Sequence, residues 1–206
     1  VTIYNQDVYH WTEEHLTARL NKEKYDVVGV GVIGGYYKYR KLLKISEAVN
    51  SSNNRPFFII AGHGPSPEPE YFLKKTKADV AVLGEGENTI IDLLDKLNNK
   101  KPLSSVNGIA YIENGKFIKT PPRELIKNID ILPFPAWDLF PIDHYALLRD
   151  PNMSNSDRWM PVLSGRGCTF KCNFCYRMDT GFRPRSPESI VEEMNKLKKD
   201  YYITYI

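Results

Sequence analysis

The sequence has little of what marks a secreted, membrane-bound or disordered chain. Cysteine is scarce, three in 206 residues, too few for the disulfide framework that staples small secreted domains. No run approaches the roughly 18–20 consecutive apolar residues of a spanning helix. Residues 1–11 (VTIYNQDVYHW) lack the basic and apolar regions of a signal peptide. The compartment expected from these absences is cytoplasmic. An excess of one charge is also missing: Lys+Arg 28 against Asp+Glu 25 leaves a formal charge of +3. That charge is spread along the chain, so no nucleic acid and no anionic membrane is called for as partner. Repeats and low-complexity tracts are absent, and 42% hydrophobic with 26% charged residues is the balance of a folded globular chain. The chain opens on Val1 and stops on the apolar run YYITYI, from which a piece truncated at both ends is expected.

What is present is concentrated. All three cysteines, Cys168, Cys172 and Cys175, fall within RGCTFKCNFCYR. An odd number of thiols crowded into eight residues makes a poor disulfide set, since one is left over and the short loops strain the pairing. Metal or cluster ligation is the better reading. Zinc normally wants a fourth Cys or His nearby, and His10, His15, His63 and His144 all lie well before the motif. Three thiolates spaced C-x3-C-x2-C can instead hold three irons of a 4Fe-4S cluster and leave the fourth iron without a protein ligand. Zinc and a vestigial loop stay open as alternatives.

The flanks suggest a strand, a loop and a helix. Residues 160–164 read as a short apolar strand, the cysteines as the loop after it, and SPESIVEEMNKLKK as a helix. Ser186 is placed to cap that helix, with Pro187 at its first position, Glu188 in its first turn, and Ile190, Val191, Met194 and Leu197 at helical spacing. Residues 201–206 read as a second strand. With Phe174 just before the last cysteine, this pattern resembles the signature of the radical SAM superfamily. The resemblance implies a first βα unit of a (β/α) barrel and a 4Fe-4S cluster on Cys168, Cys172 and Cys175. It further implies S-adenosylmethionine on the open iron beside Phe174, and a 5'-deoxyadenosyl radical formed by one-electron cleavage.

Ahead of the cysteines, strand-like and helix-like stretches alternate. Residues 25–33, 56–64 and 78–87 are largely apolar runs with glycine at or just beyond their carboxyl ends, and the first and third lead into helical patterns over 36–50 and 88–99. Consecutive βα units of this kind describe an open doubly wound sheet, with a ligand site at the carboxyl ends of its strands. Gly62-His63-Gly64-Pro65, the string from Asp79 to Glu87 containing Gly84-Glu85-Gly86-Glu87, and LPFPAWDLFP at 132–141 resemble the cobalamin-binding radical SAM enzymes. The resemblance implies cobalamin contacts at Gly31, Val32 and Gly34, at Gly62, His63, Gly64 and Pro65, and at Gly84, Glu85, Gly86 and Glu87. The cobalt-ligand pattern D-x-H-x-x-G of many free-standing cobalamin domains fails here: its nearest match has Tyr9 for His and Thr12 for Gly. Residues 1–9 are similar to the second strand of such a domain, with its first strand missing. Between the two parts, Asn114-Gly115 amid alternating runs signals a hairpin, followed by a Pro-rich linker and a polar loop over 143–159.

The expected organisation is therefore α/β. A Rossmann-like cobalamin-binding domain spans 1–105, a hairpin and Pro-rich linker 106–155, and the start of a radical SAM domain 156–206. No catalytic residue is assigned. Several residues carry plainer readings beside the functional ones. Glu85 and Glu87 suit a helix start, His63 a backbone-bonded loop, and Lys38, Arg40, Lys41 and Lys44 the solvated face of one helix. Arg166, Lys171, Arg177, Arg183 and Arg185 serve either solubility or the anionic groups near the cysteines. The family resemblance implies an enzyme, foremost a methyltransferase acting on an unactivated carbon of a small-molecule or biosynthetic-intermediate substrate, with a reductant such as flavodoxin or ferredoxin. A cyclase or rearrangement enzyme with the same cofactors, or a non-catalytic cofactor-binding fragment, are the alternatives.

Overall fold

A computed structural model of the chain describes residues 1–148, 152–176 and 181–206. The chain divides into two compact units, one of Trp11–Leu125 and one of Val1–His10 with Ile126–Ile206. None of the helices among the described residues is long and apolar enough to cross a membrane.

In the first unit the apolar runs become β1 (Val27–Gly31), β2 (Phe57–Ala61) and β3 (Val80–Val82), alternating with α3 (Tyr36–Asn50), α4 (Pro69–Thr76) and α5 (Glu87–Asn98). Helix α2 (Glu13–Glu23) precedes them, and a single helical turn α1 (Gln6–Tyr9) opens the other unit. The three strands lie parallel in sequence order. The hairpin follows as β4 (Ile109–Glu113) and β5 (Lys116–Lys119), with Asn114 at φ 50° and Gly115 at φ 76° in the two-residue turn that Asn-Gly predicts. It does not stand apart as linker: β4 pairs antiparallel with β3, extending the sheet to five strands in the order β1-β2-β3-β4-β5. Strand alternation sends Ile59, Val80, Val82, Ile109 and Tyr111 to one face, where they enclose Leu93 of α5. Phe58, Ile60 and Ala81 point to the other face, and α4 packs against β3 and β4.

Two expectations fail in this unit's surroundings. Strand β1, expected to be buried, is the sheet edge, and its Gly29 and Gly31 are exposed. Residues 1–9 form no strand: the Asn5 side chain accepts the Val8 N–H at 3.1 Å and starts α1, which His10 ends in the left-handed region. A local cap outweighs the β-branched residues ahead of it, and the segment docks through Asn5 and Tyr9 on Tyr145 and His144 of its own unit.

The second unit contains α6 (Ile142–Tyr145), β6 (Gly165–Cys168), β7 (Gly181–Pro184) and α7 (Pro187–Tyr201) around a small core of Ile142, Ala146, Met160, Leu197 and Ile203. Ser186 caps α7 by accepting the Ser189 N–H at 3.2 Å, as its sequence predicts. The strands expected over 160–164 and 201–206 are reduced to one parallel bridge, Trp159 with Tyr205. Pro161 brings no N–H with which to continue the ladder. The strand forms later instead, as β6, whose partner is the antiparallel β7. A short helix, α6, also appears within the stretch expected to be a polar loop, of which residues 149–151 lie outside the described residues.

Candidate functional site

The glycine loops expected to hold a cofactor follow β1, β2 and β3, as the alternation of strand and helix requires. Two of them are built together. Val32 continues the β1–β2 ladder by donating to Ala61 O at 2.8 Å, and its own carbonyl accepts the Gly64 N–H at 3.3 Å. Gly62 is obligatory there: at φ 100° a Cβ would lie 2.5 Å from Val32 O. Val32 is itself buried. The loop after β3 is tied in by Ser66, whose Oγ accepts the Gly84 N–H at 3.3 Å. Glu87 opens α5, where an acid complements the helix dipole. Glu85 contributes its carbonyl to Thr89 Oγ1 at 3.4 Å.

A cleft of about 330 Å³ opens at the ends of β1 and β2, lined by Val32, Ile33, Gly34, Tyr36, Tyr39 and Phe72 among others. Val32, Gly34 and Gly64 of the expected contacts meet in it. Gly31, Gly62, His63, Pro65, Gly84, Glu85, Gly86 and Glu87 do not line it. His63 is exposed and Pro65 buried. The sequence reading missed the aromatic wall of the cleft. Tyr36 is 75% exposed beside the cleft, while Tyr39 and Tyr71 join hydroxyls at 2.8 Å, a bond that raises the Tyr39 pKa. Exposed aromatic residues at the start of a helix, directly after Gly34-Gly35, were the signal available. A Cβ at Gly31, Gly34 or Gly84 would meet nothing within 4 Å, so the backbone there is open to the approach of a large flat ligand. The chain's own packing therefore leaves that space free.

The three cysteines lie on the β6–β7 hairpin, Cys168 at its end and Cys172 and Cys175 in the connection. All three are exposed. The Phe170 N–H donates to Cys168 Sγ at 3.4 Å, and Cys175 N–H to Cys172 O at 3.2 Å. Gly167 permits the turn towards Cys168, because at φ 82° a Cβ would fall 2.2 Å from Gly181 O. Phe174 is 92% exposed, offering a ring without a packing role. Among the described residues no three His, Cys, Asp or Glu side chains already converge as a metal group. Three free thiols on one short segment are nevertheless a donor set that fits a three-thiolate centre. Of the basic residues nearby, Arg177 lies outside the described residues, and Arg183 donates to Ile126 O at 2.7 Å. Arg185 turns inward to a buried ion pair with Glu193.

Residues 1–94 match the B12 binding domain family. An uncharacterised methyltransferase of Pyrococcus horikoshii is 32% identical over 186 residues, covering 88% of this chain and 38% of the relative. Another relative of this chain is the anaerobic magnesium-protoporphyrin IX monomethyl ester cyclase of Synechocystis, 28% identical over 144 residues, covering 68% of this chain and 28% of the cyclase. The fold is that of the cobalamin-dependent S-adenosylmethionine radical enzyme OxsB, solved with aqua-cobalamin and S-adenosylmethionine bound. Its TM-score is 0.73 at 22% identity, over 97% of this chain and 27% of OxsB. The chain thus spans well under half the length of each of these relatives.

Proposed function

We propose that this chain carries the cobalamin-binding unit and the cysteine loop of a radical enzyme that methylates an unactivated carbon of a small-molecule or biosynthetic-intermediate substrate. The observation that carries the reading is the presence of three exposed thiols on one hairpin in a chain whose residues 1–94 match a B12 binding domain. Cys168, Cys172 and Cys175 would hold a 4Fe-4S cluster, with Phe174 beside S-adenosylmethionine. The loops at Gly31, Val32 and Gly34, at Gly62 to Pro65, and at Gly84 to Glu87 would hold cobalamin. Bound, these groups supply one-electron chemistry at carbon and a methyl carrier. The protein's own part is to bind and orient them. Val32, Gly62 and Gly64 set the loop backbone, and the Gly34 side of the cleft offers an open apolar, aromatic wall. A cytoplasmic location and a reductant such as flavodoxin or ferredoxin complete the proposal. Ring formation with the same cofactors is the second reading, favoured by the similarity to the Synechocystis cyclase.

Anaerobic reconstitution of the purified chain with iron and sulfide, followed by iron analysis and EPR of the reduced form, tests the cluster. About four irons per chain and a signal that changes on adding S-adenosylmethionine are expected. Zinc in place of iron would overturn it. Titration with hydroxocobalamin, followed by its visible absorption after gel filtration, tests the other unit, and failure of the pigment to co-elute would sink that part.

A further inference from the structure

Helix α7 buries a charged residue and exposes one of the apolar residues that its sequence pattern sends inward. Glu193 is 2% exposed, while Val191, expected inside, is 52% exposed. The partner of Glu193 is Arg185, the residue immediately after β7, and the two side chains are 3% and 10% exposed. The same guanidinium donates through Nη1 to Leu163 O at 3.0 Å and through Nη2 to Ser189 O and Ser189 Oγ, both at 3.0 Å. It also stacks over the Phe134 ring at 5.6 Å. The Arg185 N–H donates to Ser164 O at 2.9 Å. The neighbouring Ser186 N–H is held by both carboxylate oxygens of Asp130 at 3.1 and 3.0 Å.

The place of these contacts gives them meaning. Residues 163 and 164 lead into β6 and Arg185 leaves β7, so one side chain fastens both roots of the ribbon to α7. At the ribbon's other end Cys168 pairs with Gly181. The ribbon has little of its own to hold its direction. It is two strands of four residues, short of independent stability, and glycine occupies 165 and 167 because a Cβ would meet Phe182 at 2.7 Å or Gly181 O at 2.2 Å. Stability alone does not call for an ion pair here, since apolar residues of similar size serve a core as well or better. What the guanidinium adds is a rigid planar fork whose spread donors reach carbonyls on two segments and the Glu193 carboxylate at once, a geometry that the compact ammonium of Lys does not match and Met cannot supply.

We propose that Arg185, braced by Glu193, is a positioning residue for the three-thiol loop: it fixes the direction of the β6–β7 ribbon and hence the place of Cys168. This rests on the reading of that loop as a cluster site. The test uses the whole chain with Arg185→Lys, which keeps a positive charge beside Glu193, and the double variant R185M/E193M, which keeps the volume without the charges. The first readout is amide hydrogen exchange on the metal-free protein. Exchange over 165–168 and 181–184 should rise at least tenfold in both variants, with the Trp11–Leu125 unit unchanged. The second is iron per folded chain and the EPR line shape after reconstitution. Iron should fall below half of the wild-type content, and the remaining signal should broaden. Unchanged exchange, or a lowered melting temperature with iron and EPR as in wild type, overturns the proposal and leaves a merely structural pair. A wild-type chain that takes up no iron, while its ribbon still loosens in the variants, overturns the cluster reading and sustains the positioning of the ribbon by Arg185.

Discussion

At the scale of single residues, the glycines of the loops divide into two kinds. Gly62 is demanded by the chain itself, since a Cβ there strikes Val32 O in a left-handed backbone. Gly62→Ala should cost on the order of 2 kcal/mol in a denaturant midpoint. Gly34 meets nothing within 4 Å, and Gly34→Ala should leave stability within about 0.5 kcal/mol while weakening hydroxocobalamin binding. A stability loss at Gly34 as large as at Gly62 would contradict this division. Sequence alone displayed both glycines in the same way, as ends of apolar runs. The close approach of Val32 that separates them is a contact between two strands and has no sequence signature.

At the scale of elements, the helix ends carry signals that the sequence spells out locally. Ser186, Pro187 and Glu188 specify the start of α7, and Ser186→Ala should lower stability by about 1 kcal/mol in thermal or urea melts; no change would show that Asp130, which also holds the Ser186 N–H, suffices. Helix α5 is held to the segment after β5 by Asp92, whose carboxylate accepts from Arg123 Nη2 at 2.5 Å. That guanidinium lowers the Asp92 pKa below the usual carboxylate range. Because the folded pKa is the lower one, the contribution is complete above the unfolded value of about 4 and is lost as pH falls through the folded value. Urea melts across that acid range should therefore show stability declining, and Asp92→Asn should flatten the decline by up to about 1 kcal/mol. An identical acid limb in the variant would show that the pair is too well solvated to matter. Glu193 was illegible at this scale, because its burial depends on an arginine eight residues away meeting it across a turn.

At the scale of the whole molecule, each compact unit has its own core. Leu93 is fully buried against Ile59, Val80, Val82, Ile109 and Tyr111, and Leu93→Ala should cost about 2–5 kcal/mol. The loss should appear as faster amide exchange in β2, β3 and β4, and exchange confined to α7 would contradict the division of cores. The five-stranded sheet also corrects the organisation read from sequence. The hairpin was legible from Asn114-Gly115, but its attachment to β3 was not, because a pairing partner is settled by which strand edges remain open once the local elements have formed.

What the amino-acid sequence determined by itself is what short-range chemistry can specify. This includes the parallel strands as apolar runs, the helix caps, the type of hairpin turn, and three thiols held on one short loop by their spacing. The tertiary structure decided what depends on distant neighbours. It left β1 at a sheet edge, turned residues 6–9 into a helical turn docked on Tyr145 and His144, and moved the strand beside the cysteines to Gly165–Cys168. It also paired Arg185 with Glu193 in the interior. The physical reason is common to these cases: hydrogen bonds within a turn or cap are satisfied by residues three or four apart, whereas ladder pairing, burial of a charge and the closeness of two backbones are settled only when separate segments meet.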